Sequence, residues 1–348
     1  MVRQASEYSS GFVVKVNEAF HDAEGKFYET HHPTIFVDEV ARWREIGRTY
    51  LPETNKPVII LDVGTGTGFV PLQIARNLQP KDEFICSDVS EKMLNVCKNN
   101  LSKTDFSCTF RYLKLDGRTI DLENSSVDVV TMNSVLHHIP ETTPFLAEID
   151  RILKPGGLFI IGHEPNKSFY THWFLWPNYQ IALLFFKPDI LITAVLRRLG
   201  LFDLALRHLA KFSRALAQYK HIMDDVNRRL LLDKIIQGPL SFDEIPGIVD
   251  IHSPTHRGSG LDISQIRKKS LAGYEIVHMQ TYNYLGKASS VNRLSQWYDR
   301  LLGRCFREYG AHFLIVLRKG GGPDINVEKN KHYAAEDPKR SPRGDSLK

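Results

Sequence analysis

The most constraining feature of the sequence is a short apolar run that leads directly into three glycines. Residues 58–63 (Val-Ile-Ile-Leu-Asp-Val) are the pattern of a strand that is buried on both faces. Glycines follow at 64, 66 and 68, and apolar residues then recur at helical spacing over 70–78. A buried strand, a glycine turn and a helix indicate an α/β sheet whose first turn lets backbone approach a ligand closely.

Strand and helix patterns continue to alternate up to residue 165. Further strands are predicted at 83–88, 110–116, 127–133 and 158–163, and helices at 91–100, capped by Ser90, and at 142–153, ended by Lys-Pro-Gly-Gly at 154–157. Strands that alternate with helices predict βαβ units and a parallel sheet. Two more strand patterns come much later, at 274–284 and 312–318.

These patterns predict one α/β domain with a large helical insertion. The 348 residues, 42% of them hydrophobic, are enough for a sizeable core. We expect five segments: an N-terminal lead-in at 1–55, a core at 56–165, a mostly helical insertion or substrate cap at 166–273, the final core strands at 274–318 and a disordered tail at 319–348.

The glycine loop matches neither of two common nucleotide motifs. A dinucleotide fingerprint needs Gly or Ala where Phe69 stands, and a phosphate-binding loop needs a Gly-Lys-Ser/Thr that is absent. Instead, three successive strands end at or near Asp62, Asp88 and Asp116. A carboxylate at position 62 suits a ligand with an ammonium group, Asp88 suits ribose hydroxyls, and Asp116 suits an adenine amino group. The alternative is that the aspartates are only caps.

Five segments, LDVGTGTG, SDVS, KLDG, VDVVTMNSVLHHI and RILKPGGLFIIGHEP, resemble the successive motifs of class I S-adenosylmethionine (SAM)-dependent methyltransferases. They are most similar to the ubiquinone/menaquinone-biosynthesis C-methyltransferase branch. The resemblance implies a Rossmann-like seven-stranded sheet with its last strand antiparallel, a helical insertion after strand five, and SAM as the cofactor. The residues that it assigns to the cofactor are Asp62, Gly64, Thr65, Gly66, Gly68, Asp88, Val89, Asp116, Gly117, Asn133 and Ser134.

Candidates for chemistry follow the fourth and fifth strands, because ligands of open α/β sheets bind beyond the carboxyl ends of the strands. These candidates are His137, His138, His163 and Glu164. A base is needed only if the acceptor must lose a proton, and histidine, with an ordinary pKa of about 6.5, suits that task. His138 is the first candidate and His163 the second; structural contacts are the alternative for each.

In the enzymes that the chain resembles, N-terminal segments fold over the cofactor, which implies that Tyr28 and His31 of the lead-in could close the site; an ordinary amphipathic lead-in is the alternative. The histidines at 21, 31 and 32 match no usual metal-ligand spacing, so we expect no metal. Four cysteines without a C-x-x-C pair predict free thiols and a reducing compartment. A cytoplasmic location is therefore expected, with peripheral membrane contact through the insertion.

Residues 166–219 concentrate charge and aromatic side chains. Seven Lys/Arg stand against two Asp there, a net charge of +5 that equals that of the whole chain. Such interleaving suits a helix in a membrane interface or a lid over a hydrophobic substrate, while the aliphatic content disfavours nucleic acid. A helical cap with solvated cations is the plain alternative.

We therefore expect a SAM-dependent methyltransferase that acts on a small or lipid-like hydrophobic acceptor. A protein or RNA methyltransferase is a second hypothesis. The third is a SAM-binding fold that transfers no methyl group and serves as an assembly or regulatory factor.

Overall fold

The computed structural model describes residues 8–25, 27–31, 39–52, 54–209, 214–252 and 260–321. The predicted disordered tail, 319–348, lies almost wholly outside these residues. The strands are β1 (Ile59–Val63), β2 (Glu83–Asp88), β3 (Thr109–Lys114), β4 (Val127–Asn133), β5 (Leu153–Pro165), β6 (Tyr274–Tyr282) and β7 (His312–Lys319).

The helices flank this sheet and also fill the insertion. Those before and within the core are α1 (Ser10–Glu24), α2 (Tyr28–His31), α3 (Val40–Tyr50), α4 (Phe69–Ile74), α5 (Glu91–Leu101) and α6 (Thr142–Ile152). Those after β5 are α7 (Lys167–Thr171), α8 (Leu175–Phe186), α9 (Pro188–Arg198), α10 (Phe202–Leu209), α11 (Arg214–Leu232), α12 (Glu244–Val249), α13 (Ile263–Ser270) and α14 (Arg293–Cys305).

The seven strands form one sheet in the order β3-β2-β1-β4-β5-β7-β6. Strand β7 is antiparallel to both of its neighbours, and the other strand pairs are parallel. The fold is therefore the Rossmann-like sheet with an antiparallel last strand that the sequence predicts. The strand order reverses between β1 and β4, and a crevice for ligands forms beyond the carboxyl ends of strands at such a point.

The sheet is covered on both faces, which explains the continuous apolar runs. Neighbouring residues of β1 point to opposite sides: Ile60 packs in the cluster that contains Trp43 and Ile74, whereas Leu61 packs in the cluster that contains Ile149. All five are buried. Ser90 caps α5, as predicted, by accepting a hydrogen bond from the backbone N–H of Met93.

Helix α1 belongs to a separate cluster. Its residues Val13 and Val16 are fully buried against Met223 and Val226 of α11 and against Ile245 of α12. Its polar side also contacts the insertion, because Glu18 Oε1 forms an ion pair with the guanidinium of Arg229 on α11, at 3.2 Å. The N-terminal helix is thus held by the insertion.

The structure contains free thiols at Cys86, Cys97 and Cys108, which are buried, and at Cys305, which is exposed. In the described residues, no single helix is long and apolar enough to cross a membrane. Helices α8 and α9 reach that length and composition only as a pair, and they are bent by 108° where they meet.

Candidate functional site

A cavity of about 750 Å³, partly open to solvent, lies at the crevice between β1 and β4. Its wall includes Gly64, Gly66, Asp88, Gly117 and Ser134 from the core. Helix α1 contributes Val14, Asn17 and His21, and α2 contributes Tyr28. The lead-in therefore covers a cavity that the sheet forms.

The glycine loop brings backbone close to this cavity. Gly64 and Gly66 have φ angles of 67° and 54°, a left-handed conformation that glycine adopts without strain. A Cβ atom at position 64 would lie 2.4 Å from Cγ2 of Val135, so the loop after β1 and the loop after β4 are in tight contact. At position 66 the nearest atom would be Cε1 of Tyr28 at 3.9 Å, which leaves room beside the loop.

Asp62 is buried directly beneath the glycine loop. Its Oδ1 accepts a hydrogen bond from the hydroxyl of Thr131 at 2.6 Å, while Oδ2 has no hydrogen-bond partner in the described part of the chain. Burial raises the pKa of Asp62 to about 7, although the Thr131 hydroxyl favours the charged form. A buried carboxylate oxygen without a donor is suited to receive a cationic group from a ligand.

Asp88 lines the cavity and organises the loops around it. Its two oxygens accept hydrogen bonds from the backbone N–H of Gly66 at 2.9 Å and of Ser90 at 2.8 Å. Burial raises the pKa of Asp88, while His21 and the backbone N–H groups act in the opposite direction. Because each carboxylate oxygen has two lone pairs, Asp88 can still accept bonds from a ligand.

Asp116 differs from Asp88 in its position. Its side chain is exposed and accepts bonds from the backbone N–H groups of Arg118 and Thr119, at 2.7 and 2.8 Å, and it is absent from the cavity wall. The neighbouring Gly117 does line the cavity and packs against Val14. The structure therefore gives Asp116 the role of shaping a loop, and we do not keep it as a direct ligand for adenine.

The remaining predicted cofactor residues also divide into those that line the cavity and those that do not. Val89 and Ser134 line the cavity. Asn133 does not, since its Oδ1 accepts a hydrogen bond from Nε1 of Trp43 at 2.8 Å. Thr65 and Gly68 support the loop from behind: the Thr65 N–H donates to Ser87 O at 2.8 Å, and the Gly68 N–H donates to Thr65 O at 2.9 Å.

Residues 61–161 match the family model described as "Methyltransferase domain". The matched segment carries the glycine loop, Asp62 and Asp88. Residues 61–161 are a methyltransferase domain. The cofactor of this domain is SAM, and the residues fit it: Asp88 and the open glycine loop line one cavity, and beneath that loop Asp62 has a carboxylate oxygen without a hydrogen-bond partner in the described part of the chain.

Two curated proteins illustrate how far the similarity extends. The ubiquinone/menaquinone biosynthesis C-methyltransferase of Idiomarina loihiensis is 28% identical over 102 residues, which are 29% of this chain and 41% of that protein. The demethylmenaquinone methyltransferase of Bacteroides fragilis is 26% identical over 147 residues, 42% of this chain and 59% of that protein. The chain thus spans about half the length of these relatives.

Among solved structures, a SAM-dependent methyltransferase from Aquifex aeolicus is 25% identical and has a TM-score of 0.30; the match covers 37% of this chain and 72% of that one. The [4+2]-cyclase SpnF is 15% identical with a TM-score of 0.43, and the match covers 81% of each chain.

Just beyond the matched residues, Glu164 is a structural anchor. Its side chain is fully buried, and Oε1 accepts the backbone N–H groups of Val135 and Leu136 at 2.7 and 2.6 Å. Its Oε2 lies 2.8 Å from Nδ1 of His137. Burial alone would lower the pKa of His137, but the charge of Glu164 raises it above its ordinary value. This pair fixes the loop after β4 and contributes no wall residue to the cavity.

The structure places His163 outside the cavity as well. Its Nδ1 lies 3.1 Å from Oε1 of Glu39, and its ring stacks on that of His312 with centroids 4.3 Å apart. His163 has a φ of 54°, lies next to an irregularity in the pairing of β5 with β7, and is absent from the cavity wall. Its position does not support a role as a base.

His138 is the one predicted base that lines the cavity. Its Nδ1 lies 2.8 Å from the backbone oxygen of Val249 and 3.2 Å from Oδ1 of Asp250. Because a carbonyl oxygen only accepts, Nδ1 carries the proton, and the proton-accepting lone pair of the neutral ring is on Nε2. Its ring also meets that of His21 edge to face, with centroids 5.3 Å apart.

Sequence reasoning missed three residues of this site. Asn17 and His21 occupy one face of α1 and line the cavity, and their spacing of four residues on an apolar helix was a usable signal. No sequence pattern indicated Asp250, since it lies far along the chain from the core motifs. Tyr28 lines the cavity as the lead-in hypothesis suggested, while the side chain of His31 lies outside the described part.

One cluster near the cavity has ligand atoms close enough for a metal ion. His137, His138 and Asp250 each offer such an atom, all within 4.8 Å of one another. The Nδ1 atoms of the two histidines already contact Glu164 and the Val249 carbonyl. These contacts explain the cluster without a metal, and chelation tests that explanation directly.

Proposed function

We propose that this protein transfers the methyl group of SAM to a small or lipid-like hydrophobic acceptor. The observation that carries the proposal is that Asp88, the glycine loop and His138 line one cavity whose other walls are largely apolar. These apolar residues include Val14, Met93, Leu115, Ile139 and Phe145. Such walls favour an apolar acceptor and exclude water from the reaction.

The similar curated proteins suggest the class of acceptor. Their names give ubiquinone and menaquinone biosynthesis, and thus a quinone-like ring with an apolar tail. A ring of this kind suits the aromatic and aliphatic walls of the cavity. A phenolic or acidic C–H acceptor must lose a proton, which gives a base at the cavity a function.

Methyl transfer from SAM requires the protein mainly to position the two reactants. When bound, SAM supplies an activated methyl group on a sulfonium ion. Asp88, in the cavity wall, would bind and orient it, and Asp62, buried beneath the glycine loop with one oxygen that has no partner among the described residues, would favour its cationic end. His138 takes the acceptor proton at Nε2, and Asp250 holds the ring in the required tautomer from the side of Nδ1. Alignment of the two reactants supplies the rest of the rate.

The proposal is tested by incubating the purified chain with SAM labelled in its methyl group and with extracted quinones and lipids. Labelled lipid-soluble product and equimolar S-adenosylhomocysteine are expected. In a parallel incubation with extracts of cells that lack the gene, label in protein or RNA would support the second hypothesis instead. If the chain binds SAM tightly but forms no S-adenosylhomocysteine in either incubation, the result supports the third hypothesis, a SAM-binding assembly or regulatory factor.

A further inference from the structure

Helices α8 and α9 each expose a row of large apolar side chains. On α8 the row is Ile181, Leu184 and Phe185, which are 53%, 56% and 77% exposed. On α9 and its C-terminal cap residue it is Ile192, Val195 and Leu199, which are 59%, 50% and 63% exposed. Positions three, four and seven apart share a face of a helix, so each row is continuous. We call these six residues the apolar rows.

Helix α8 is apolar on its opposite side as well. Leu175, Tyr179, Ala182 and Leu183 are buried in a cluster with Phe169 and Leu285. A surface helix normally turns a polar face to water, and a helix that is apolar all round is normally covered. Exposed apolar patches of this kind mark surfaces that bind something. The apolar rows therefore need a partner.

A third exposed row lies on α14, which packs on the same cluster through Leu302. It consists of Leu294, Trp297 and Leu301, at 62%, 56% and 40% exposure. The hydroxyl of Tyr298 donates to Oδ1 of Asn178 at 2.8 Å and so ties α14 to α8. The row on α14 thus borders the region that carries the apolar rows.

Cations accompany these rows. Arg198 is exposed and adjoins Leu199, the last residue of the row on α9, and Lys187 lies at the junction of α8 and α9. On α14, Arg293, Arg300 and Arg304 are exposed. Lipid headgroups of anionic membranes attract such side chains, and exposed Trp, Phe and Leu beside them are typical of helices that lie in a membrane interface.

We propose that the apolar rows bind the surface of an anionic lipid bilayer, with α8 and α9 lying in the interface. The bend of 108° between the two helices favours a position along the surface over a span across it. A second copy of this chain is a poorer occupant, because two copies would bring the same cations together. An anionic bilayer offers the opposite charge and an apolar layer at once. This inference does not depend on which acceptor is methylated.

The test is sedimentation of the full chain with vesicles of phosphatidylcholine alone and of phosphatidylcholine with 30% phosphatidylserine. Binding to the anionic vesicles at low salt is expected, with marked release at high salt, because the cationic part of the attraction is screened. Leu184→Ser and Phe185→Ser should each weaken partitioning about tenfold. Leu232→Ser is the matched control, since Leu232 is 75% exposed on α11 outside the apolar rows; it should partition like the wild type.

Unchanged SAM affinity shows that each variant is folded. If a variant on α8 fails that check, Ile192→Ser on α9 replaces it. Independently, brominated lipids should quench the fluorescence of the wild type, and Trp173→Phe and Trp297→Phe should remove most of that quenching, because both indoles are exposed.

Three results would overturn the proposal. One is a wild type that stays in the supernatant with anionic vesicles at low salt. Another is a Leu232→Ser control that loses as much binding as the variants. The third is light scattering that shows a dimer which Leu184→Ser converts to a monomer, since a second copy would then cover the apolar rows.

Discussion

The Nδ1 atom of His138 lies 3.2 Å from Oδ1 of Asp250, although one residue follows β4 in the core and the other follows α12 in the insertion. The carboxylate and the Val249 carbonyl together hold the ring at the cavity wall. The insertion thus reaches the methyltransferase site itself and orients a side chain there.

This contact predicts separate effects for the two residues. His138→Ala should lower single-turnover methyl transfer by about 10²–10⁴-fold, because general base catalysis contributes that factor, while SAM affinity changes little. Asp250→Asn should have a smaller effect, since the Val249 carbonyl still holds Nδ1 of His138. Rates measured from pH 5 to 9 check both effects.

His163→Ala is the control, since His163 lies outside the cavity. Equal rates per folded molecule in the wild type and in His138→Ala would dismiss base catalysis. Activity that is lost on addition of EDTA and restored by a divalent ion would instead make His137, His138 and Asp250 a metal site.

A second prediction follows from the pKa of Asp62, which burial raises to about 7. A ligand ammonium favours the charged carboxylate, so SAM affinity should rise with pH up to about 7 and level off. It should fall again above about pH 8, where an α-amino group loses its proton. Calorimetry across pH 5.5 to 9 measures this profile. Asp62→Asn should bind weakly and lose the acid limb; an unchanged acid limb would contradict the assignment.

The third prediction separates two carboxylates that the resemblance treats alike. Asp88→Ala should weaken binding of SAM and S-adenosylhomocysteine at least tenfold, since hydrogen bonds to a charged acceptor contribute about 1.5–3 kcal/mol each. Asp116→Ala should change affinity by less than about threefold, because Asp116 is exposed and bonds only its own loop. Equal losses in the two variants would show that Asp116 binds the cofactor after all.

The fourth prediction concerns the buried pair of His137 and Glu164. The pKa of His137 is raised in the folded state, so its charged form stabilises the fold below the unfolded pKa of about 6.5. This contribution disappears as pH rises through the raised value. Glu164→Gln should destabilise the protein by about 3–5 kcal/mol and flatten the dependence of stability on pH. Denaturant melts from pH 5 to 8 provide the measurement.

Glu148→Gln is the comparison for that experiment. Glu148 pairs with Arg151 near the surface, at 2.9 Å, and such pairs contribute about 0–1 kcal/mol. If both variants lose the same small amount of stability, Glu164 is not the anchor of the loop after β4.

The apolar runs in the sequence predicted the strands well because such runs reflect burial directly. The bounds of β2 and β4 agree with the sequence to the residue, and β1 begins one residue later than predicted. Strand β5 was predicted too short: residues 154–157 were taken as a turn, whereas the strand begins at Leu153 and its pairing with β4 is irregular near Val127. Pro and Gly are tolerated there because a bulge leaves their positions outside regular pairing.

The site was harder to predict because its geometry depends on distant contacts. His163 lies near the carboxyl end of β5, yet its side chain contacts Glu39 and His312 and not the cavity. Asp250 approaches His138 only because the insertion folds back over the core. No periodicity in the chain encodes either contact. Of the three acidic strand ends, the structure places Asp88 in the cavity wall and leaves Asp62 and Asp116 outside it, a distinction that the sequence pattern does not make.

Helix α1 has the cavity on one side and the hydrophobic packing of the insertion on the other. Val14, Asn17 and His21 face the cavity, while Val13 and Val16 are buried against α11 and α12. If α1 moves to admit or release cofactor, the same movement separates Val13 and Val16 from the insertion. Cofactor exchange and the separation of α1 from α11 and α12 would then be a single conformational event.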